Sequence, residues 1–244
     1  MQADAQKALA RINVPGFSRT TLGAVLPPGF KSGLFEGLTP SEIQAILAAA
    51  RLRRIFPGEV LLHEGEPTAH SFLLVTGRAA AYTLTAEGQK LFLRWIAPGD
   101  AFGLATQQPE TATVEAVLES TALAWDRASA QALGTQYPQL RRNAYSSLAS
   151  YLRQAIDLIA ARASQSARRK LAQVLVQSAG QIGLPGREGT EIDLTNEQLA
   201  EMADVSLFTV SRQLSQWQRQ GILAKHRGKI LLHSPERLLS LGRR

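Results

Sequence analysis

The stretch LTNEQLAEMADVSLFTVSRQLSQWQRQGIL (residues 194–223) predicts two short helices joined by a tight turn. Thr195 is a good N-cap, and Gln198 three residues later completes a capping box. Asp204 falls at the turn, where a short polar side chain tolerates a left-handed backbone better than most residues do. The spacing therefore predicts a compact helix-turn-helix unit.

The second helix carries a polar face that its own packing does not need. Ser206 can cap this helix, and positions i, i+4 and i+7 form a stripe predicted to be buried: Val210, Leu214 and Trp217. The opposite face holds Leu207, Phe208, Ser211 and Arg212. An ordinary αα-hairpin is the alternative, but the exposed arginine favours a recognition helix, at about residues 207–219, that enters the major groove of DNA.

The residues after this helix predict a basic hairpin. Gly221 is placed to end the helix as a C′ residue. The short apolar runs 222–223 and 230–232 flank the segment KHRGK (225–229). A solvated basic turn is the alternative for these charges. Beside a recognition helix we expect instead a wing that lies along phosphates, which completes a winged helix-turn-helix.

Composition agrees with a nucleic-acid partner. The 244 residues carry a formal net charge of +7, and residues 164–244 hold 12 Lys and Arg against 7 Asp and Glu. The absence of cysteine excludes disulfides and thiolate-ligated metal centres. Charged residues interrupt the N-terminus, so we expect no signal peptide, and no run is long enough for a membrane span. We expect a cytoplasmic protein.

The region 55–125 has a different pattern, in which short apolar runs alternate with Gly and Pro. Such punctuation predicts a β-sandwich or β-roll. The predicted strands are Val60–His63, Ser71–Val75, Ala79–Leu84, Leu91–Ile96, Ala101–Leu104, Ala112–Leu118 and Ala122–Trp125. Before them, Thr39-Pro40-Ser41-Glu42 opens an apolar helix predicted to run through Leu52.

A long helical pattern covers about Gln139 to Ala163. Apolar residues recur at alternating spacings of three and four, which predicts a parallel two-helix dimer interface through Tyr145, Leu148, Leu152, Ala155 and Ile159. Packing against the protein's own roll is the alternative. The predicted fold class is thus α+β: an N-terminal extension (1–33), a jelly-roll-like β-roll sensor domain (34–138), a dimerisation helix (139–163) and a winged helix-turn-helix (164–244).

The chain resembles a known family in several motifs that follow one another in order. These are FPGEVLLHEGEP (56–67), LLVTGRAAAY (73–82), APGDAFG (97–103), the long helix and LTNEQLAEMADVSLFTVSR (194–212). They are similar to those of the Crp/Fnr superfamily of bacterial transcription regulators. The resemblance implies a cyclic-nucleotide-binding-type roll and a homodimer that binds a palindromic promoter site, with RNA polymerase as a further partner.

The effector site departs from the family's pattern. By resemblance, a Gly-Glu pair would hold the ribose and an Arg-Ser or Arg-Thr pair the cyclic phosphate. Here Gly103 is followed by Leu104, and Glu110-Thr111 stands where the arginine pair belongs. A carboxylate repels a phosphate, so we expect neither cyclic AMP nor cyclic GMP to bind this degenerate pocket. The absence of cysteine also removes the family's Fe–S mode.

No other cofactor or metal site is assigned from the residues. His63 and His70 are conceivable haem ligands, since gas-sensing relatives exist, but no ligand pair has convincing spacing. Trp95 and Trp125 are interpreted as core aromatics. Another small molecule, or no effector, remains an alternative.

The resemblance also suggests how DNA is read. Arg212 aligns with the family's major-groove arginine, and its fork suits guanine O6 and N7. Phe208 replaces a frequent glutamate and can meet a thymine methyl, with Ser211 and Leu207 beside it. The expected backbone contacts are Ser206, Thr209, Lys229 and Arg227, whereas Gln213 and Gln216 are assigned to solvent.

Two other functional classes are alternatives to a DNA-binding regulator. The first is a small-molecule or haem-sensing signalling module with little intrinsic DNA specificity, which the apolar Leu207 and Phe208 would suit. The second is an enzyme, which the absence of catalytic motifs argues against.

Overall fold

The computed structural model describes residues 17–18, 26–86, 88–103, 108–162, 166–226 and 228–241. Seven α-helices lie within these residues: α1 (Pro40–Ala48), α2 (Arg127–Gln136), α3 (Pro138–Arg162), α4 (Ala167–Ile182), α5 (Asn196–Ala203), α6 (Leu207–Arg219) and α7 (Pro235–Leu241). The strands are β1 (Phe17–Ser18), β2 (Arg51–Ile55), β3 (Val60–Leu62), β4 (His70–Thr76), β5 (Ala79–Leu84), β6 (Lys90–Ile96), β7 (Ala101–Phe102), β8 (Thr113–Ala116), β9 (Ser120–Asp126), β10 (Leu184–Gly186), β11 (Gly189–Asp193), β12 (Leu223–His226) and β13 (Lys229–Leu232).

The expected β-roll followed by a helix-turn-helix is confirmed. Contacts within the chain define two compact units. The first comprises Met1–Arg78, Pro98–Glu110 and Glu115–Tyr145, and the second comprises Ala79–Ala97, Thr111–Val114 and Ser146–Arg244. None of the described helices combines the length and the apolar character that a membrane crossing requires.

A five-stranded sheet in the order β1-β2-β9-β4-β7 organises the first unit. Its pairs are antiparallel, so alternate side chains of each strand point to the same face. One face packs on α1, α2 and the start of α3 around a buried cluster: Ile46, Leu73, Val75, Ala101, Leu123, Trp125, Leu133 and Leu140. This cluster is the core of the unit.

The end of the first helix was predicted wrongly. Thr39 caps α1 through a capping box with Glu42, as the sequence indicates, but the helix ends at Ala48 rather than at Leu52. Residues Arg51–Ile55 instead form β2, which pairs with β9 from Arg51↔Ala124 to Ile55↔Ser120. Arginine has a good helix propensity, so local preference does not favour a strand over a helix here. The long-range pairing with β9 decides the conformation.

The other strands of the roll form a sheet in the order β3-β8-β5-β6. Strands β5 and β6 form an antiparallel hairpin whose register runs from Ala79↔Ile96 to Leu84↔Lys90. Gly77, before β5, has a φ of 87°. A Cβ at this position would overlap Ser120 Oγ and lie 2.5 Å from the carbonyl oxygen of Glu119. Only glycine fits this close approach.

Helices α4 to α7 and the sheet β10-β11-β13-β12 build the C-terminal part of the second unit. The hairpin β12–β13 has a register from Leu223↔Leu232 to His226↔Lys229 and is the predicted wing. Large apolar side chains are fully buried between these elements: Leu171, Leu175, Ile192, Leu199, Leu214, Trp217, Leu232 and Leu238.

Candidate DNA-binding surface

The first helix of the motif begins as predicted. The Thr195 N–H donates to Gln198 Oε1 at 2.9 Å, and the Gln198 N–H donates to Thr195 Oγ1 at 3.2 Å. Helix α5 ends at Asp204, which has φ 50° and ψ 57°. Asp204 is the sole non-glycine residue with positive φ in the described part of the chain. The short polar side chain thus serves the left-handed turn expected from the sequence.

Helix α6 has one buried and one exposed face. The Thr209 N–H donates to Ser206 Oγ at 3.2 Å, which fixes the start of the helix. The predicted stripe of Val210, Leu214 and Trp217 is fully buried. This burial sets the rotation of α6, because turning the helix would expose all three side chains.

The opposite face of α6 is open to solvent. Phe208 is 73% exposed and Leu207 is 46% exposed, and Ser211 and Arg212 are exposed as well. The Arg212 guanidinium carbon lies 5.9 Å from the centroid of the Phe208 ring. Within the described residues Arg212 takes part in no ion pair, so its fork of donors is available to an acceptor outside the chain.

The position of Gln213 on α6 differs from the one predicted from the sequence. Gln213 was assigned to solvent, but it is buried, and its Oε1 finds no hydrogen-bond partner in the described structure. It precedes the buried Leu214 and falls on the inner side of the helix. Gln216 is half-buried. The assignment of Gln213 to solvent is therefore wrong, whereas Gln216 keeps part of its surface exposed.

The wing presents a cation that is already paired. Lys229 Nζ lies 2.7 Å from Glu191 Oε1, and this carboxylate raises the pKa of the lysine above its ordinary value. A phosphate at this site must compete with Glu191. Arg227, the other predicted wing contact, lies outside the described residues.

A further cation lies at the turn of the motif. Lys170 Nζ, in the first turn of α4, is 3.5 Å from Asp204 Oδ2. Sequence reasoning missed Lys170, although the run of three basic residues at 168–170 was a signal for it. It places positive charge beside the start of α6.

The predicted dimer interface on α3, called the seam below, comprises Tyr145, Leu148, Leu152, Ala155 and Ile159. Its large side chains are exposed where the structure describes them. Tyr145 is 63% exposed, Leu148 48% and Leu152 63%. Ala155 is half-buried, and the Ile159 side chain lies outside the described residues. Ile156, which the heptad reading left out, is 56% exposed and continues the apolar face. An exposed apolar helix face of this kind is typical of an interaction surface.

Elsewhere in the second unit, the β5–β6 hairpin is held by side chains of α3 and α4. The Trp95 Nε1–H donates to Ser178 Oγ at 3.3 Å, and the Trp95 backbone N–H donates to Gln181 Oε1 at 3.0 Å. The Arg94 guanidinium carbon lies 3.5 Å from the centroid of the Tyr151 ring. Trp95 is thus a core aromatic, as predicted, but its partner helix was not foreseen.

The degenerate effector positions are partly described. Gly103 has a φ of 62°, and Leu104 lies outside the described residues. Glu110 is half-buried, its backbone N–H donates to the carbonyl oxygen of Glu66, and burial raises the pKa of its carboxyl group. Thr111 is exposed. None of these described side chains carries the positive charge that a phosphate would need.

The two histidines considered as haem ligands differ in exposure. His63 is exposed, whereas His70 is half-buried in β4, where burial lowers its pKa. Among the described residues no group of three or more His, Cys, Asp or Glu could hold a metal ion. The other tryptophan of the roll, Trp125, is buried, and its indole N–H donates to the Ile46 carbonyl oxygen at 2.9 Å.

Two family models match the chain. Residues 52–137 match the cyclic nucleotide-binding domain, and residues 169–241 match the Crp-like helix-turn-helix domain. The chain is 29% identical over 199 residues to the cyclic AMP receptor protein of Thermus thermophilus, covering 79% of this chain and 88% of the relative. It is 24% identical over 220 residues to the CRP-like cAMP-activated global transcriptional regulator of Mycobacterium tuberculosis, covering 87% and 97%.

The fold is similar to solved structures of comparable length. FixK2 from Bradyrhizobium japonicum superposes with a TM-score of 0.69 and 26% identity, over 79% of this chain and 96% of that protein. A CooA mutant from Carboxydothermus hydrogenoformans gives a TM-score of 0.66 and 25% identity, over 93% and 97%. With both domains matched in this order, the chain belongs to the Crp/Fnr family of transcription regulators, which bind DNA and are not enzymes.

Proposed function

We propose that the protein acts as a homodimer that reads a palindromic promoter site through two copies of α6. The observation that carries this proposal is the exposed face of Leu207, Phe208 and Arg212 on a helix whose other face is fully buried. Such a helix can present side chains to base edges without losing its own packing. Its place of action is the cytoplasm, with RNA polymerase as the partner at the promoter.

The face of α6 suggests a particular reading of the half-site. Arg212 can donate two hydrogen bonds to guanine, whereas the Phe208 ring can contact a thymine methyl and cannot accept a hydrogen bond from cytosine. The ring lies beside the guanidinium and limits how Arg212 can swing. We therefore expect a guanine next to a position where thymine is preferred.

The apolar face of α3 supports the dimer. Three of its four exposed large side chains belong to the predicted seam. In a dimer formed through this face, two recognition helices would read half-sites about one helical turn apart.

We further propose that the protein does not respond to cyclic AMP or cyclic GMP. The relatives from Thermus thermophilus and Mycobacterium tuberculosis are named for cyclic AMP, and that property is theirs. In this chain Glu110 stands in the position of the phosphate-binding arginine, and a carboxylate there opposes a phosphate in either protonation state, through repulsion when charged and through the lack of a cation when neutral.

Substitution of Arg212 tests the reading of DNA. Arg212→Ala should weaken binding to the selected site by about 1–3 kcal/mol and binding to random DNA much less. Arg219→Ala is the matched control, because Arg219 is an exposed arginine in the last turn of the same helix. The site is first selected from genomic fragments with the purified protein at two salt concentrations, and affinities follow by fluorescence anisotropy.

Other outcomes would contradict the proposal in distinct ways. Equal losses for Arg212→Ala on both DNAs would reduce Arg212 to a phosphate contact. Absent or salt-insensitive DNA binding would favour the signalling module with little DNA specificity, for which the exposed Leu207 and Phe208 are the supporting observation.

A further inference from the structure

A cavity of about 550 Å³ lies in the first unit, between the β4–β7 edge of the five-stranded sheet and helices α2 and α3. Its size falls in the range of small-molecule sites. The residues that line its inner part are largely apolar and include Ala101, Trp125, Leu133 and Leu140.

The inner lining of the cavity needs few polar partners from a ligand. The indole N–H of Trp125 already donates to the Ile46 carbonyl oxygen. A ligand that covers the tryptophan ring and the leucine side chains lowers the free energy by removing apolar surface from water. The occupant that suits this lining therefore has an apolar body.

The rim supplies one positive charge. Arg141, in the first turns of α3, is exposed and lines the cavity, and the described structure gives its guanidinium no hydrogen-bond or ion-pair partner. The neighbouring Arg142 differs, because its side chain donates to Gln139 Oε1 at 2.6 Å. Asp and Glu are absent from the described residues that line the cavity. An anionic group is thus complementary to the rim, and a carboxylate fits the guanidinium fork.

Of the degenerate effector positions that the structure describes, Gly103, Glu110 and Thr111 do not line the cavity. Its rim includes Tyr145, where the exposed seam of α3 begins. A ligand held here would touch the helix that we propose as the dimer interface.

We propose that this cavity binds an apolar monocarboxylic acid, with the hydrocarbon body against Trp125, Leu133 and Leu140 and the carboxylate on Arg141. Binding itself depends on neither DNA nor the dimer. Any effect on DNA affinity, transmitted along α3, rests on the proposed function. An experiment can therefore refute ligand binding without refuting the proposed function, and the reverse also holds.

Calorimetry on the full-length protein tests the binding step with octanoate as the ligand and 1-octanol as its neutral match. Arg141→Gln should weaken octanoate binding about 10- to 100-fold, the factor expected for a charge-assisted hydrogen bond, and leave octanol unchanged. Arg142→Gln is the matched control and should bind both ligands as the wild type does. A selective loss in the first variant supports the carboxylate on Arg141.

A second variant fills the cavity. Gly134 lines it from α2, and a Cβ there would meet no atom closer than Arg141 Cβ at 4.0 Å, so Gly134→Leu is compatible with the helix. It should abolish binding of both ligands. Circular dichroism and thermal unfolding show whether each variant is folded, and this check does not depend on the proposed function.

Several results would overturn the proposal. Undetectable octanoate binding to a protein that still binds DNA would do so, as would equal losses in Arg141→Gln and Arg142→Gln, or binding that survives Gly134→Leu. Binding to a monomeric Leu152→Ala protein but not to the dimer would show that a second copy covers the mouth, and the cavity would then be no effector site.

Discussion

Replacement of Leu152 by alanine should weaken the dimer without disturbing the fold of the protomer. Leu152 is 63% exposed on α3 in the single chain, so it contributes little to protomer stability. Full burial of a leucine side chain is worth about 1.5–3 kcal/mol. The exposed share leaves roughly 1–2 kcal/mol to be gained when a second copy covers it.

The two-fold symmetry of the proposed dimer doubles this value, because each protomer contributes one Leu152. Alanine keeps one of the four side-chain carbons, so the loss is about 1.5–3 kcal/mol per dimer. The dissociation constant of the dimer should then rise roughly 10- to 150-fold. Sedimentation equilibrium over a series of protein concentrations measures this constant directly, and circular dichroism checks the helix content.

Leu184→Ala provides a matched control for this prediction. Leu184 lies in β10 and is 67% exposed, so the two substitutions remove the same atoms at similar exposure. The control should leave the dissociation constant unchanged. If Leu152→Ala behaved like the control, or if both substitutions weakened the dimer equally, the seam along α3 would not be the interface.

Three further predictions concern the roll and the wing. Gly77→Ala should lower the free energy of unfolding in urea by about 1–3 kcal/mol. The loss should clearly exceed that of Gly58→Ala, because Gly58 also has a positive φ but an added Cβ there would meet open space. Equal losses would refute the steric argument. Glu191→Gln should release Lys229 and tighten DNA binding about 2- to 5-fold at low salt, with the gain fading as salt rises; unchanged affinity would remove Lys229 from the interface. Burial lowers the pKa of His70, so the folded state binds its proton less readily than the unfolded state, and stability should fall as pH drops below the ordinary value of about 6.5. His70→Gln should flatten that fall in urea titrations, whereas an identical pH profile would contradict it.

The sequence predicted the elements whose signals are local. The capping box at Thr195 and the left-handed turn at Asp204 depend on single side chains and their nearest backbone groups. The buried stripe of α6 repeats at helical spacing, which fixes its inner face. Such features need no knowledge of the rest of the chain.

Features that depend on distant partners were missed. Strand β2 exists because β9 pairs with it, and nothing within RLRRI favours a strand over a helix. Helix α2 starts at a cap that Asp126 supplies to the Ser129 N–H, directly after a strand, and its apolar pattern is weak. Tertiary context decides β2, whereas α2 was missed despite its local cap because its apolar pattern is weak.

In the candidate site, too, features with local signals were predicted and features that depend on distant partners were missed. The exposed positions of Leu207, Phe208 and Arg212 followed from helix periodicity. The pairing of Lys229 with Glu191 and the cation that Lys170 places near Asp204 did not follow, because each depends on how elements far apart in sequence pack together. The burial of Gln213 was missed although its spacing of three from Val210 puts it on the inner face.

The support of the β5–β6 hairpin has a practical consequence for dividing this protein into fragments. A cut near residue 163 keeps Trp95 with the roll and discards Ser178 and Gln181, which accept its two N–H groups. The fragment would then carry a tryptophan whose surroundings differ from those in the intact chain. Chimaeras that exchange the C-terminal half with that of a relative would lose the same hydrogen bonds. They would keep them only if the incoming half also carries hydrogen-bond acceptors for Trp95 at these two positions.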